Sequence, residues 1–397
     1  MTEQRTRVVA GCMTGTSLDG LDVALVKITG TGLEMKAELL GHHALPLPDG
    51  LRTTLMSLAS GEAKEPIVYM RAARALGELH ADGIEQLIAY SSLSLEGEGR
   101  GEGEAQSTQS TNDKHNARKL DFVTAHGQTI WHAPRDDQGP KSWQLFDPWP
   151  IVKRLNVPVC YDLRQADLIA GGQGAPLTPI ADWVMYRGKG DFICNLGGIM
   201  NSTRLFDKPA HIRASDDGPC NLLLDGLCQR FYEEAFDRDG LHASEGTYNA
   251  QASKLIGDAI HDVDRHGSKG REQFSDQWLN DLNARFANRF KPEDILRTVL
   301  WRISHSIETD GTDDLRRRKN RIVLAGGGAR NKTLVQEIVE SDAETVILSD
   351  DLGIPCEARE AMAFAVLGAL SQDGIPISLP QVTGATDPGV SGVWAGV

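Results

Sequence analysis

The chain has 397 residues, with 41 Lys and Arg against 55 Asp and Glu, a net charge of −14 and 40% hydrophobic residues. This composition is typical of a globular protein, and the length predicts two or three domains with a buried core. The acidic balance argues against a general nucleic-acid-binding protein, because such proteins gain affinity mainly from Lys and Arg that neutralise phosphates.

The sequence shows no run of about 18 apolar residues, which argues against a membrane partner, and its first residues do not resemble a secretory signal. The six cysteines are scattered through apolar stretches without a C-x-x-C pair. That usage indicates buried thiols in a reducing, cytoplasmic environment, and neither disulfides nor a cysteine metal site.

The predicted elements alternate between strands and helices. Strands are predicted over 8–10 and 21–28, a helix over 66–91 from its apolar spacing, and further strands over 120–124 and 157–161. The segment 92–118 lacks apolar residues after Leu95, so we expect a disordered surface insertion. The order of strand, helix and strand predicts an α/β fold with a mixed sheet.

The pattern restarts near the middle of the chain. Residues 191–203 again read as a strand, a small-residue turn and a strand, close to half a chain length after the first such turn at Gly15. This recurrence favours two similar lobes, 1–184 and 185–397, with a site in the cleft between them. A buried strand follows near 321–325, and the last helix, at about 357–370, is expected to pack back at the lobe interface.

Four turns could bind phosphate, because glycines at strand ends expose backbone N–H groups. They occur at 13–20, 195–201, 216–221 and 326–333. The last turn fails the P-loop pattern because Asn331 stands where glycine is required. Glycines that merely let two backbones approach remain the alternative, yet four such turns favour a nucleotide site, with Asp19 or Asp22 able to hold hydrated Mg²⁺.

A second group of polar residues follows the strand at 157–161. Asp162, Arg164 and Asp167 lie where α/β proteins usually bind ligands. A carboxylate beside an arginine is ionised and well oriented, which suits a general base. For Asp162 we favour a structural ion pair, whereas for Asp167 the catalytic and structural roles stay open. His126 and His132 fit no usual zinc spacing, so we expect both to form hydrogen bonds.

These motifs together resemble the anhydro-N-acetylmuramic acid kinase family, two-lobed ATP-dependent proteins of the hexokinase/Hsp70/actin superfamily. The resemblance extends from Met13 to Gly392, interrupted only by 92–118. It rests on eight motifs that occur in the family's order: Gly15–Asp22, His126–Ile130, Asp162–Asp167, Gly171–Leu177, Asn195–Ile199, Gly270–Glu272, Gly326–Ala329 and Glu360–Ala365.

The resemblance implies a duplicated, actin/hexokinase-like α/β fold and a cytoplasmic homodimer. It also implies an ATP- and Mg²⁺-dependent kinase that hydrolytically opens the 1,6-anhydro bridge of anhydro-N-acetylmuramic acid and phosphorylates O6. By this resemblance Asp167 is the catalytic base, Arg164, Gln128 and Asp216 bind the sugar, and Glu360 lies near the metal. The matching ATP site comprises Gly15, Thr16, Ser17, Leu18, Asp19, Gly20, Leu21, Asp22, Gly197, Gly198, Gly218, Asn221, Gly326, Gly327 and Gly328.

The chain departs from the family pattern in two places. It has Asp217 and Cys220 where the family usually has threonine and glycine, and Phe146 where glycine is usual. We expect these changes to reshape the sugar pocket. Three alternatives follow: a kinase of levoglucosan (unsubstituted anhydroglucose), a non-catalytic module that binds ATP and sugar, and, with least support, an actin- or Hsp70-like ATPase.

Overall fold

Two β-sheets with the same strand order organise the chain. The computed structural model describes residues 5–15, 18, 20–97, 120–134, 136–264, 274–308, 321–341 and 345–397. The strands are β1 Thr6–Thr14, β2 Gly20–Thr29, β3 Lys36–Pro46, β4 Phe122–Ala125, β5 Gln128–Ala133, β6 Lys141–Leu145, β7 Val159–Tyr161, β8 Phe192–Leu196, β9 Ile199–Arg204, β10 Arg213–Pro219, β11 Arg321–Ala325, β12 Thr345–Leu348 and β13 Val393–Ala395.

The helices lie between these strands, and five of them, α6 to α10, follow one another between β10 and β11. They are α1 Asp49–Ala59, α2 Pro66–Gly97, α3 Trp149–Leu155, α4 Gln165–Ile169, α5 Pro179–Tyr186, α6 Asn221–Tyr232, α7 Leu241–Glu245, α8 Ala250–Asp264, α9 Asp276–Phe286, α10 Pro292–Glu308, α11 Lys332–Glu340, α12 Arg359–Gln372 and α13 Pro380–Thr383. Among the described helices, none combines the length and the apolar character needed to cross a membrane. All six cysteines are free and buried, as their apolar contexts predicted.

The sheet topology confirms the predicted duplicated α/β fold. The first sheet has the order β13-β7-β4-β1-β2-β3 and the second has the order β10-β9-β8-β11-β12. In the first sheet β1, β2 and β3 form an antiparallel meander, while β4 pairs parallel to β1 and β7 parallel to β4. The strands β8, β9, β10, β11 and β12 repeat this arrangement in the second sheet. The short hairpin of β5 and β6 stands apart.

One hydrophobic cluster extends from the first sheet to the second. It includes Val9 of β1 and Val323 of β11, and between them the apolar side chains of α5 and α12. Helix α12, which corresponds to the helix expected at about 357–370, therefore lies among residues of both sheets, and the short α13 follows it. The predicted boundary between residues 184 and 185 falls inside α5, which belongs to this shared cluster.

One expectation about a connecting segment changes. The predicted disordered insertion begins too early, because α2 continues through residues 92–97. The rest of that insertion, from 98 to 118, lies outside the described residues. The motif at 270–272 and four consecutive basic residues at 316–319 also lie outside them, whereas Arg321 begins β11 and pairs with Asp191.

Candidate active site between the two sheets

The carboxylate of Asp167 is buried in α4, directly after β7. Its Oδ2 accepts a hydrogen bond from the backbone N–H of Gly174 at 2.6 Å, and its Oδ1 accepts one from Oγ1 of Thr383 at 2.6 Å. Gly172 passes so close that a Cβ atom there would lie 2.2 Å from Oδ2. These contacts fix the carboxylate in one orientation, as a catalytic base requires.

Arg164 connects this carboxylate loop to His126. Its Nη1 donates to the carbonyl of Gly174 at 2.6 Å, and its Nη2 lies 2.7 Å from Nε2 of His126. Because a guanidinium can only donate, Nε2 is the acceptor, and the imidazole carries its proton on Nδ1, which faces the carbonyl of Gly127 at 2.7 Å. Burial, assisted by the charge of Arg164, lowers the pKa of His126 to about 3, so this histidine is neutral at physiological pH.

The second histidine of that motif is also hydrogen-bonded, since Nδ1 of His132 lies 3.0 Å from Oγ of Ser142. The prediction that both histidines form hydrogen bonds is therefore confirmed.

Arg164 also faces carboxylates from both halves of the chain. Burial lowers its pKa to about 10, and this effect is opposed by the charges of Asp216, Asp167 and Glu360. Asp216 lies in β10 of the second sheet, and Glu360 lies in the first turn of α12. Arg164 therefore interacts with three carboxylates that were predicted to have different roles. Asp216 was expected to bind the sugar, Asp167 to act as the base and Glu360 to lie near the metal.

Glu360 joins the second sheet to the first. Its Oε1 accepts a hydrogen bond from Nδ2 of Asn195 in β8 at 3.3 Å. Burial raises the pKa of Glu360, Arg359 opposes this shift, and the carboxylate of Asp22 in β2 raises the pKa further. Asp22 and Glu360 thus repel each other, and a divalent cation that prefers oxygen ligands would relieve this repulsion. Carboxylate oxygens are ligands of the type that Mg²⁺ prefers, and Oδ1 of Asp22 also lies 3.1 Å from Nε2 of His42.

The glycine turns of the second sheet lie side by side. Asn221, at the start of α6, donates from Nδ2 to the carbonyl of Leu196 at 2.9 Å, and its backbone N–H donates to the carbonyl of Gly197 at 3.0 Å. Gly326 has φ +81°, and a Cβ there would lie 2.6 Å from Oδ1 of Asn195. A Cβ on Gly328 would lie 2.7 Å from Leu196. The predicted turns at 195–201 and 326–333 are therefore contiguous, and Gly198, Asn221 and Gly327 belong to the same surface.

The turn between β1 and β2 offers backbone groups. The carbonyl of Gly15 accepts hydrogen bonds from Nε2 of Gln128 at 3.4 Å and from the N–H of Leu18 at 3.2 Å. The side chains of Leu18 and Leu21 are buried in hydrophobic clusters, so neither projects toward a ligand. A Cβ on Gly20 would lie 2.5 Å from the carbonyl oxygen of Leu45. Thr16, Ser17 and Asp19 lie outside the described residues.

The residues that depart from the family pattern have distinct environments. The Cys220 side chain is fully buried in the hydrophobic core of the second sheet, so it does not itself project into a pocket, and its effect on the sugar site stays a prediction. Oδ1 of Asp217 accepts a hydrogen bond from Oγ of Ser215 at 2.6 Å, and Gly218 has φ +134° at a bulge in β10. Phe146 packs its ring against His80, with 4.9 Å between the centroids.

Three contacts were not foreseen from the sequence. Thr383 reaches Asp167 from α13, and no local pattern marks it. Asn195 belongs to one of the eight motifs, but its bond to Glu360 was not anticipated. Arg359 forms a buried ion pair with Asp182. The sequence could have indicated this pair, because each of the two residues is a charged side chain within or beside an apolar segment.

Comparison with known proteins identifies the family. The sequence model of the anhydro-N-acetylmuramic acid kinase family matches residues 7–98 and 103–395. The chain belongs to the anhydro-N-acetylmuramic acid kinase family. It is 31% identical over 396 residues to the anhydro-N-acetylmuramic acid kinase of Bacillus cereus (strain 03BB102), covering 97% of this chain and 98% of that protein. The same enzyme of Bacillus thuringiensis (strain Al Hakam) is also 31% identical, with 97% of each chain covered.

The chain is therefore a kinase, and the resemblance drawn from its motifs is confirmed. The residues between the two matched ranges, 99–102, fall inside the predicted insertion. Among solved structures, component A of the (R)-2-hydroxyglutaryl-CoA dehydratase of Acidaminococcus fermentans aligns with a TM-score of 0.46 and 10% identity, covering 92% of this chain and 99% of that one.

Proposed function

We propose that this kinase opens the 1,6-anhydro bridge of anhydro-N-acetylmuramic acid by hydrolysis and phosphorylates O6 with ATP, giving N-acetylmuramic acid 6-phosphate. Family membership supports the sugar and the kinase activity. The observation that carries the proposal is the buried Asp167 carboxylate, held by two donors and interacting with the charge of Arg164.

In the proposed reaction, Asp167 accepts a proton from a water molecule. The water oxygen bonds to the anomeric carbon, and the electron pair of the broken C1–O6 bond passes to O6. O6 then bonds to the γ-phosphorus while the bond to the β–γ bridging oxygen breaks, so that ADP leaves. Arg164 acts as a positioning residue, because it binds the carbonyl of Gly174 whose N–H holds Asp167.

The phosphates of ATP would contact the backbone N–H groups of the turns at Gly15, Gly197 and Gly326. Asp22 and Glu360 would hold Mg²⁺, which when bound neutralises negative charge on the phosphates. We further propose that lobes 1–184 and 185–397 close around both substrates, and that the protein works as a cytoplasmic homodimer, as the family resemblance suggests.

The test compares Asp167→Asn with Asp162→Asn. Asp162 lies in the same motif and has φ +54°, a conformation that asparagine tolerates, so it is a matched control. We expect Asp167→Asn to lose sugar-dependent ADP release and to keep ATP binding, while Asp162→Asn keeps at least about a third of the wild-type rate. Wild-type turnover by Asp167→Asn would refute the proposed base.

Two further measurements test the substrate and the hydrolysis. With ¹⁸O-labelled water, mass spectrometry of rapidly quenched product should show one labelled oxygen, in excess of the label that unlabelled product gains by exchange of its C1 hydroxyl over the same time. A panel of anhydro-N-acetylmuramic acid, levoglucosan and ordinary hexoses should show the highest kcat/KM for the first sugar. A preference for levoglucosan, or no turnover with any of these sugars, would contradict the assigned substrate.

A further inference from the structure

A cluster of metal-ligand side chains lies on α6, on α7 and in the segment between them. The thiol sulfur of Cys228, a carboxylate oxygen of Glu234 and an imidazole nitrogen of His242 all lie within 4.8 Å of one another. Of the chain segments that the structure describes, these three residues form the single group of His, Cys and carboxylate side chains gathered this closely. Neither the sequence motifs nor the proposed reaction uses them.

The surrounding backbone holds the three ligands in place. Glu233 ends α6 in the left-handed conformation, with φ +59°, and so turns the chain at Glu234. Asp237 accepts hydrogen bonds from the backbone N–H of His242 at 2.9 Å and of Ala243 at 3.0 Å. The ring of Tyr232 stacks on the His242 imidazole with 3.8 Å between centroids. The three ligands therefore lie near the end of α6 and in the segment up to the start of α7, whose backbone is held by the hydrogen bonds to Asp237.

The charges around the sulfur favour a cation. Burial and the neighbouring carboxylates of Asp237, Glu234 and Asp225 raise the pKa of the Cys228 thiol to about 12. The same three negative charges would stabilise a divalent ion at the sulfur. The ion would in turn allow the thiol to lose its proton to solvent, as is usual when a metal binds cysteine.

We propose that Cys228, Glu234 and His242 form a binding site for Zn²⁺, with a water molecule as the fourth ligand. One sulfur, one imidazole nitrogen and one carboxylate oxygen form a donor set that zinc prefers. Tetrahedral bonds of about 2.0–2.3 Å place donors roughly 3.3–3.7 Å apart, so closure requires a movement of about 1 Å. Glu234, whose side chain is 53% exposed, can make that movement.

The bound ion would stabilise the segment between Asp237 and His242 and the start of α11, which follows the glycine turn at 326–328. The segment between Asp237 and His242 contacts the start of α11, where Oγ1 of Thr333 donates to the carbonyl of Gly240 at 2.9 Å. Nζ of Lys332 pairs with Asp239 at 3.1 Å. Asn331, which caps α11, directly follows that turn. Zinc should therefore raise the thermal stability of the protein.

The experiment titrates chelator-treated, full-length protein with Co²⁺, a spectroscopic substitute for Zn²⁺, and then displaces it with Zn²⁺. We expect one equivalent of cobalt with a near-ultraviolet thiolate charge-transfer band and the visible bands of tetrahedral cobalt. An ion bound by Asp22 and Glu360 gives no thiolate band, so the two sites are distinguishable. Cys228→Ser should lose the band, while Cys160→Ser, which changes a buried cysteine of β7 in the first sheet, should keep it.

Glu234→Gln changes an exposed group, and this variant keeps the test decisive if Cys228→Ser fails to fold. We expect cobalt affinity to fall about tenfold or more, with Glu245→Gln on α7 as the matched control that leaves affinity unchanged. At the same zinc concentration, Tm should rise less in Glu234→Gln than in the wild type. Absence of the thiolate band in the wild type, or wild-type affinity in Glu234→Gln, would overturn the proposal.

Discussion

The hydroxyl of Thr383 lies 216 residues from Asp167 along the chain and donates to its Oδ1 at 2.6 Å. Thr383→Val keeps the side-chain shape and removes the donor. We expect kcat to fall about 10- to 100-fold, because a hydrogen bond to a charged group contributes about 1.5–3 kcal/mol. Steady-state kinetics should show this loss with the KM for ATP within about twofold of wild type.

Thr383→Ser restores the donor and should recover most of the activity. Thr386→Val is the matched control, because the exposed hydroxyl of Thr386 donates to the carbonyl of Ala170 in the neighbouring loop. If the serine variant is as slow as the valine variant, the hydroxyl does not hold the base and the role of Thr383 is packing.

His80 is a buried residue of α2 whose protonation should oppose folding. Burial lowers its pKa to about 4, from 6.5 in the unfolded chain. Between these values the unfolded chain binds a proton that the folded protein does not. The free energy of unfolding therefore falls as the pH drops from about 6.5 to 4, and His80 contributes roughly 3 kcal/mol to this loss. Above about pH 6.5, His80 does not change the free energy of unfolding.

His80→Leu removes this titration. Urea unfolding at pH 7 and pH 4.5 should show a loss of stability on acidification that is smaller by about 2–3 kcal/mol than in the wild type. His211→Leu, at an exposed position, controls for the substitution itself. An equal acid loss in His80→Leu and wild type would show that His80 is not the group that titrates.

At the scale of elements, the close contact of α12 with the first sheet depends on two glycines. A Cβ at Gly11 of β1 would lie 1.9 Å from the carbonyl oxygen of Ala361, and a Cβ at Gly368 would lie 1.8 Å from Oγ1 of Thr124. Alanine normally favours a helix by about 1 kcal/mol over glycine. Here the steric clash should reverse that preference.

We expect Gly368→Ala to destabilise the protein by roughly 1–3 kcal/mol through overpacking. Thr124→Ala removes the nearest atom, so the double variant should be more stable than the sum of the single variants predicts, by about 1 kcal/mol. Urea unfolding of all four proteins measures this coupling. Additive effects would mean that α12 moves away from the sheet as a whole.

The strands that adjoin glycine turns could be predicted, because a short apolar run next to small residues is a local sequence pattern. The apolar residues of β1, β2, β8 and β11, each next to small residues, were recognised from the sequence. The edge strand β3 was not, since Lys36–Pro46 is mostly half-exposed and carries no continuous apolar run. Asp167 was found from its motif, whereas its partner Thr383 could not be, because tertiary packing alone joins segments so distant along the chain.

At the scale of the whole molecule, α12 is held at both ends by buried ion pairs. At its start, Nε of Arg359 donates to Oδ1 of Asp182 in α5 at 3.0 Å, and Oγ1 of Thr203 in β9 donates to Oδ2 at 2.9 Å. Just beyond its end, Asp373 accepts two hydrogen bonds from Arg7 of β1, at 2.8 and 3.0 Å. The helix thus connects the second sheet to the first.

Loss of one partner of the Arg359–Asp182 pair leaves an uncompensated charge in the core, where both side chains are at most 1% exposed. We expect Arg359→Met to lower the free energy of unfolding by about 3–5 kcal/mol, and the double variant with Asp182→Leu to recover most of this loss, since buried ion pairs are often no more stabilising than apolar packing. Chemical unfolding of the single and double variants measures both values.

The double variant Arg359→Met with Asp182→Leu, whose stability is expected to be close to that of the wild type, separates the effect of the ion pair on stability from its effect on function. Arg359 directly precedes Glu360, and its charge opposes the rise in the pKa of that carboxyl. If the ion pair serves only stability, the double variant should have wild-type kinetics. We expect instead that the Mg²⁺ concentration for half-maximal activity rises several-fold while the KM for the sugar is unchanged, because the pair also fixes the turn that presents Glu360 to the site between the sheets. Unchanged Mg²⁺ dependence in a stably folded double variant would confine the pair to a structural role.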